Sequence, residues 1–226
     1  MSANKEATRE LFRAIEAAED IDVWAAVRDG ADLAGISSDG YSVIQKAASC
    51  VKARDSIVGF LIGCGADVNL LGDGKDSAIS LAVGRDEREI CRSLIERGAD
   101  QDLRASQERL TALGSAAYNG RPELFRYLVE MGGDVHALHL VSGDEVTPLQ
   151  IAARAGELEI VRYCLQELGM DPECRTKRGR TLVQLASKHL AIKEFVRAHK
   201  SELAIQDGIG DGAIDASHKA RDSLSL

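Results

Sequence analysis

Residues 147–156 read Thr147-Pro148-Leu149-Gln150-Ile151-Ala152-Ala153-Arg154-Ala155-Gly156. The stretch spells a short helix with both ends marked. Thr147 offers a side-chain oxygen to an otherwise unpaired backbone N–H at the helix start. Pro148 takes the first helical position, where a missing N–H costs nothing. Leu149, Ala152 and Ala153 make a narrow apolar face, and the two alanines let another helix approach closely. Gly156 tolerates the positive φ that ends a helix. A second helix follows, with Ile160, Val161, Cys164 and Leu165 at helical spacing and Gly169 as its stop.

Weaker copies begin at Ser42, Ser77, Thr111 and Thr181, so the steps between copies are 35, 34, 36 and 34 residues. A second landmark keeps the same beat: Gly30-Ala31-Asp32, Gly65-Ala66-Asp67, Gly98-Ala99-Asp100 and Gly132-Gly133-Asp134. A fixed period of this size marks a solenoid, in which each unit buries its apolar face only against its neighbours. The predicted fold is all-α: a solenoid of about six helix-turn-helix units joined by short hairpin-like turns. The expected boundaries are a capping unit at 5–34, full units at 35–69, 70–104, 105–138 and 139–174, and a closing unit at 175–200. The tail at 201–226 is polar and acidic and reads as flexible or as a partial repeat.

These residues resemble the ankyrin-repeat family. The family's Thr-Pro-Leu-His run appears as Thr147-Pro148-Leu149-Gln150, and its Gly-Ala-Asp-Val-Asn run as Gly65-Ala66-Asp67-Val68-Asn69. The likeness covers roughly 7–200. No copy keeps the motif histidine, and one keeps the proline. The resemblance implies a non-catalytic module, a scaffold or adaptor, that binds a protein through its turn tips and the exposed side of each first helix. A dedicated inhibitor, such as a bacterial immunity or antitoxin protein covering a partner's active site, is the alternative. An enzyme or sensor using an exposed cysteine or histidine is a second class, and a structural homo-oligomer a third reading.

Contact positions follow from that placement. Tyr41, Asp76, Leu110, Val146 and Arg180 precede each helix start and are expected at the tips. Arg85, Tyr118, Asn119, Arg154 and Lys188 follow the paired small residues and are expected on the open helix face. Both sets vary between units while the core positions do not. The turn from Asp134 to Thr147 spans 13 residues, against 10 from Asp67 to Ser77. Its Leu138 and Leu140 have no evident core position, so the turn is expected to project and offer apolar contact. The turn near 51–55 also carries two extra residues. Charge is unevenly spread: Asp39, Asp73 and Asp76 mark the early turns, whereas Arg175, Lys177, Arg178 and Arg180 mark the last. With Arg154 and Lys188 these cations suggest an acidic partner surface.

The net charge of −8 and pI near 5.2 argue against nucleic-acid or membrane-surface binding. The opening residues lack the apolar run of a signal peptide, which points to the cytoplasm. A monomer is expected in the free state. Five cysteines, with no Cys-x-x-Cys, suggest neither a disulfide framework nor a zinc site. Cys91 and Cys164 fall on inward positions; Cys50 and Cys174 fall near turns and are read as accessible. His136 and His139 lie in the long turn and read as surface histidines. Gly208, Gly210 and Gly212 lack the strand and Gly-Lys-Ser of a phosphate loop. No catalytic residue, metal site or cofactor is assigned.

Overall fold

The computed structural model describes residues 2–50, 55–104 and 109–205. Helices alternate along the chain in pairs: α1 (Ser2–Ala17) and α2 (Asp20–Arg28), α3 (Val43–Ser49) and α4 (Asp55–Gly63), α5 (Ala78–Arg85) and α6 (Arg88–Glu96), α7 (Ala112–Asn119) and α8 (Pro122–Glu130). After a hairpin, β1 (His139–Val141) with β2 (Asp144–Val146), come α9 (Pro148–Ala155) and α10 (Leu158–Arg162). The chain then forms α11 (Leu182–Leu185) and α12, residues 190–205. First helices stack on first helices, α3 on α5, α5 on α7, α7 on α9 and α9 on α11, while α4 packs on α6 and α8 on α10. The result is an all-α solenoid of two helical layers.

The core lies between the layers and repeats like the sequence. Ile44, Ile79, Leu113 and Leu149 hold the same place in four successive units, and each is at most 1% exposed. The small pairs Ala47-Ala48, Ala82-Val83, Ala116-Ala117 and Ala152-Ala153 are buried where one first helix meets the next. Helix starts behave as their residues dictate. Ser42, Ser77, Thr111, Thr147 and Thr181 each accept a hydrogen bond from the N–H three residues on. In three of these units the third residue returns the bond: Gln45, Gln150 and Gln184 accept from the N-cap N–H, completing capping boxes.

The Gly-x-Asp landmark has an equally local cause. After each second helix a glycine takes positive φ, as at Gly65 (98°) and Gly132 (89°). The aspartate two residues on folds the next turn by accepting from a nearby N–H: Asn69 to Asp67, Asp102 to Asp100, His136 to Asp134, Glu173 to Asp171. Asn69 bridges units, donating to the Gly98 carbonyl (3.1 Å) and accepting from the Asp100 N–H (2.8 Å).

Three features depart from the plain repeat. Ala153 to Gly169 spans 16 residues where Ala117 to Gly132 spans 15. The extra residue is absorbed as one π turn, Tyr163–Glu167, in which the Leu168 N–H reaches the Tyr163 carbonyl. The long turn before α9 is an ordered two-stranded hairpin, paired His139 to Val146 and Leu140 to Glu145. Helix α12 runs past residue 200 to 205, because no glycine or proline interrupts it before Gly208. Ile192 and Val196 tie it to the core, and the Arg162 guanidinium lies 4.5 Å from the Phe195 ring centre. The expected insertion at 51–55 falls almost wholly on 51–54, and most of the expected tail on 206–226; both segments lie outside the described residues.

Leu149 is fully buried between two neighbouring units. Leu149→Ala is expected to cost about 2–5 kcal/mol as a core truncation. Urea unfolding followed by circular dichroism measures it, and a loss under about 1 kcal/mol would contradict the placement.

Candidate functional site

The open side of the array is set by where the first helices end. Arg85, Tyr118, Asn119, Arg154 and Lys188 stand there, about seven or eight residues past their N-caps, and all five are exposed, Tyr118 to 61%. Asn119 also donates to the Ser115 carbonyl at 2.9 Å, so its amide is partly committed to its own helix.

The turn tips lie elsewhere than the sequence suggested. Residues just before the N-caps sit at the base of each turn, because the chain there is extended and pairs across it, as in the bridges Ile36–Ser42 and Arg175–Thr181. Val146 is 1% exposed and belongs to the core, which removes it from any contact surface. Leu110 is half-buried against the core, and its carbonyl accepts from Ser80 Oγ. Tyr41 is half-buried, and Asp76 pairs with Arg109 at 3.7 Å. The tips are residue-glycine pairs with the glycine at positive φ: Asp39-Gly40, Asp73-Gly74, Ser142-Gly143 and Arg178-Gly179.

The hairpin also departs from the expectation of an apolar projection. Leu138 is 51% exposed, but Leu140 is half-buried in β1 and does not reach outward freely. The hairpin's contacts are mainly polar, and they organise cations. Ser142 Oγ accepts from Arg154 Nη2 (2.9 Å), and the Arg178 side chain lies against Gly143. Asp144, 1% exposed, accepts from the Arg178 N–H (3.1 Å) and from Arg180 Nε (3.1 Å) and Nη2 (2.8 Å). Burial alone would raise the Asp144 pKa, but hydrogen bonds from Thr176, Arg180 and Arg178 hold it down at about 2. Glu145 pairs with Lys177 at 2.7 Å.

A cavity of about 280 Å³ opens beside this hairpin, lined by Arg154, Arg180, Lys188 and His189 with Gln184, Leu185 and Ser187. Among the described residues no acidic side chain lines it. Of the six cations singled out in the sequence, Arg180 and Lys177 are neutralised within the array, by Asp144 and Glu145. Arg154, Arg175, Arg178 and Lys188 have no carboxylate partner among the described residues. The matching cavity at the other end, about 330 Å³, mixes Glu16 and Asp39 with Lys46 and Arg85. There Lys46 already pairs with Glu16 and Asp39, and hydrogen bonds from Ser37 and Lys46 lower the Asp39 pKa to about 2.

Two histidines and the thiols complete the inventory. His136 is exposed, but His139 is 0% exposed, so the reading of both as surface residues fails for His139. Its ring sits against Thr111 and Gly114, and no motif in its own unit signals this; the signal was a missing side chain at 114, one unit earlier. Among the described residues no three histidine, cysteine or acidic side chains gather as a metal site. Cys174, read as accessible, packs against the core beside Gln150, and burial raises its pKa. No helix among the described residues is long and apolar enough to cross a membrane.

Two family models, both described as ankyrin repeats, match residues 44–139 and 136–186, together an unbroken run over more than half of the chain. Alpha-latroinsectotoxin-Lt1a of Latrodectus tredecimguttatus is 38% identical over 97 residues, 43% of this chain and 7% of the toxin. The ankyrin repeat and KH domain-containing protein mask-1 of Caenorhabditis elegans is 26% identical over 63% of this chain and 5% of its own length. Palmitoyltransferase Hip14 of Drosophila melanogaster is 36% identical over 42% of this chain and 14% of the enzyme. The chain thus spans a small fraction of each of these relatives. The crystal structure of the human ASB11 ankyrin repeat domain superposes with a TM-score of 0.70 at 23% identity, covering 84% of this chain and 81% of that one.

Thiol reactivity checks the cysteine placement. Burial pushes the Cys91 and Cys164 thiols up to about 12. Cys64 is exposed and Cys50 half-buried. In the native protein at neutral pH a mild aromatic disulfide is expected to label Cys64 first, and Cys91 and Cys164 only after denaturation. Fast native labelling of Cys91 or Cys164 would contradict the inward assignment.

Proposed function

This chain belongs to the ankyrin-repeat family, and on that premise we propose that it is a non-catalytic module holding a protein partner across its first-helix face. Ankyrin repeats are in general protein-protein interaction modules, and a solenoid of this kind presents an extended surface nearly independent of its core. Arg85, Tyr118, Asn119, Arg154 and Lys188 form the ladder along which the partner lies, and Leu138 and the tip residue Arg178 flank it. Five thiols, none of them in a disulfide, suit action in a reducing compartment, the cytoplasm. The free protein is proposed to be a monomer.

The observation that carries the finer reading is the C-terminal corner. Arg154 and Lys188 line one cavity and Arg178 lies against the hairpin tip at Gly143, none of the three with a carboxylate partner among the described residues, in a protein of net charge −8. An acidic segment of the partner would gain steering and specificity there, with an effect that weakens as salt rises. Arg180 serves this corner indirectly, because its guanidinium is already committed to Asp144.

A deca-aspartate peptide serves as the probe. The wild-type protein is expected to bind it more tightly at low salt than at high salt. Arg154→Glu/Lys188→Glu is expected to weaken binding at low salt roughly 3–10-fold or more, with an unchanged melting temperature. Both side chains are exposed, so the double variant should fold. Equal affinity of the folded variant and the wild type at low salt would overturn the acidic-partner reading.

A further inference from the structure

The second and third full units lack the capping box that three other units close on themselves: Ser80 keeps a hydroxyl at the third position, whereas the third full unit has no side chain there at all. Where Gln45, Gln150 and Gln184 close the box on their own N-caps, this unit has Gly114. The vacant role is filled from the next unit. The Thr111 N–H donates to His139 Nε2 at 3.2 Å, and the Thr111 hydroxyl lies 3.0 Å from the same nitrogen. The fit depends on the glycine: a Cβ at residue 114 would lie 2.8 Å from Nε2 and 3.1 Å from Cε1. His139 is thus a cap supplied in trans, and it is also the first residue of β1. Because Nε2 accepts an N–H, the ring is the neutral tautomer with its proton on Nδ1.

We propose that the hairpin is an acid-released latch on the cationic corner: protonation of His139 unseats β1 from Thr111 and frees the bracket that holds Arg154 and Arg178. A proton on Nε2 removes the acceptor that the Thr111 N–H has among the described residues and sets two donors against each other. The surroundings offer little to hold a charged ring. From the segment before α7, Arg104 opposes a second positive charge; α7 itself contributes only the Thr111 N–H and hydroxyl. Asp134 and the carbonyls of Ala137 and Val146 favour the charge, and on the paired strand Asp144 is spent on Arg180. Burial and then Arg104 win, and the His139 pKa falls from 6.5 to about 4.

The sign follows from the depressed value. The seated ring resists a proton that the released ring takes near pH 6.5. The latch is therefore fully closed above pH 6.5 and loses its advantage as pH falls from 6.5 to 4. At pH 5 the opening equilibrium is favoured about 30-fold more than at pH 7.5. Asp144, held at about 2, stays ionised throughout this window, so the clamp on Arg180 does not titrate with the latch.

Amide hydrogen exchange of the full chain at pH 7.5 and pH 5 tests the latch. His139→Gln keeps an acceptor but does not titrate, so the ratio of wild-type to His139→Gln protection cancels the intrinsic pH effect on exchange. That ratio is expected to fall about 30-fold for residues 139–146 and Thr111, and to stay flat over Ala78–Glu96. Gly114→Gln/His139→Ala restores the box within its own unit and is expected to remove the pH dependence as well. A flat wild-type ratio, an equal fall in Ala78–Glu96, or pH dependence persisting in the double variant would each overturn the latch. Its link to binding rests on the reading of the cationic corner and is measured separately. Wild-type affinity for deca-aspartate should drop at pH 5 relative to His139→Gln. If neither protein binds deca-aspartate at any pH, the acidic-partner reading fails while the exchange ratio still decides the latch.

Discussion

Every unit of this array leans on the start of the next first helix. A helix of seven or eight residues, such as α3 or α5, is too short to hold itself in water, and its apolar face is too small to form a core. What fixes it is a side-chain cap that also reaches across the unit boundary. Ser42 Oγ donates to the Leu70 carbonyl, and Gln45 donates to the Asp76 carbonyl while accepting from the Ser42 and Gly72 N–H groups. Ser80 Oγ donates to the Leu110 carbonyl, and Ser115 Oγ to the Ser80 carbonyl. The same few atoms start a helix, satisfy the backbone of the following turn and set the spacing of the stack. The buried Ser42, Gln45, Ser80 and Ser115 side chains are thereby paired across their joints, where an unpaired one would be costly.

Much of this was legible because its causes are local. A cap, an alanine pair and a positive-φ glycine each act within a few residues, so the period, the helix pairs and the core at Ile44, Ile79, Leu113 and Leu149 could be read in one dimension. The open-face positions Arg85, Arg154 and Lys188 followed from counting along a helix. What escaped reading depends on pairing across a turn or between units. Val146 and Leu110 are inward because the chain before each N-cap is extended, and an extended chain alternates its side chains. Counting residues marked the insertion before α9 but could not show a hairpin whose tip touches Arg154 and Arg178. His139 escaped for the plainest reason: its partner is Thr111, 28 residues away, and its space is defined by a side chain that is absent.

The charge map shows how a neutralised framework can present selected charges. At the N-terminal end Lys46 is enclosed by Glu16 and Asp39, so that corner has little net field. At the C-terminal end the buried Asp144 neutralises one arginine and receives the backbone N–H of another. The remaining cations are therefore placed by a polar scaffold that does not compete for them. The exposed Lys177–Glu145 pair contributes little stability, whereas the Asp144 carboxylate is buried, and losing Arg180 would leave it short of its compensating charge.

Gly114 and His139 carry a consequence for how this sequence can change. Any side chain at 114 collides with the ring while His139 is present, and losing the ring first leaves the Thr111 N–H buried without an acceptor. Each single step out of the pair is uphill, although a glutamine at 114 with a small residue at 139 would serve as Gln45 and Gln150 do. The two positions are thus tied together as a ratchet. Once a lineage has exchanged its own cap for a borrowed one, the neighbouring unit can no longer drift, be deleted or be duplicated independently. A stack whose parts are otherwise interchangeable acquires, at this joint, a fixed order.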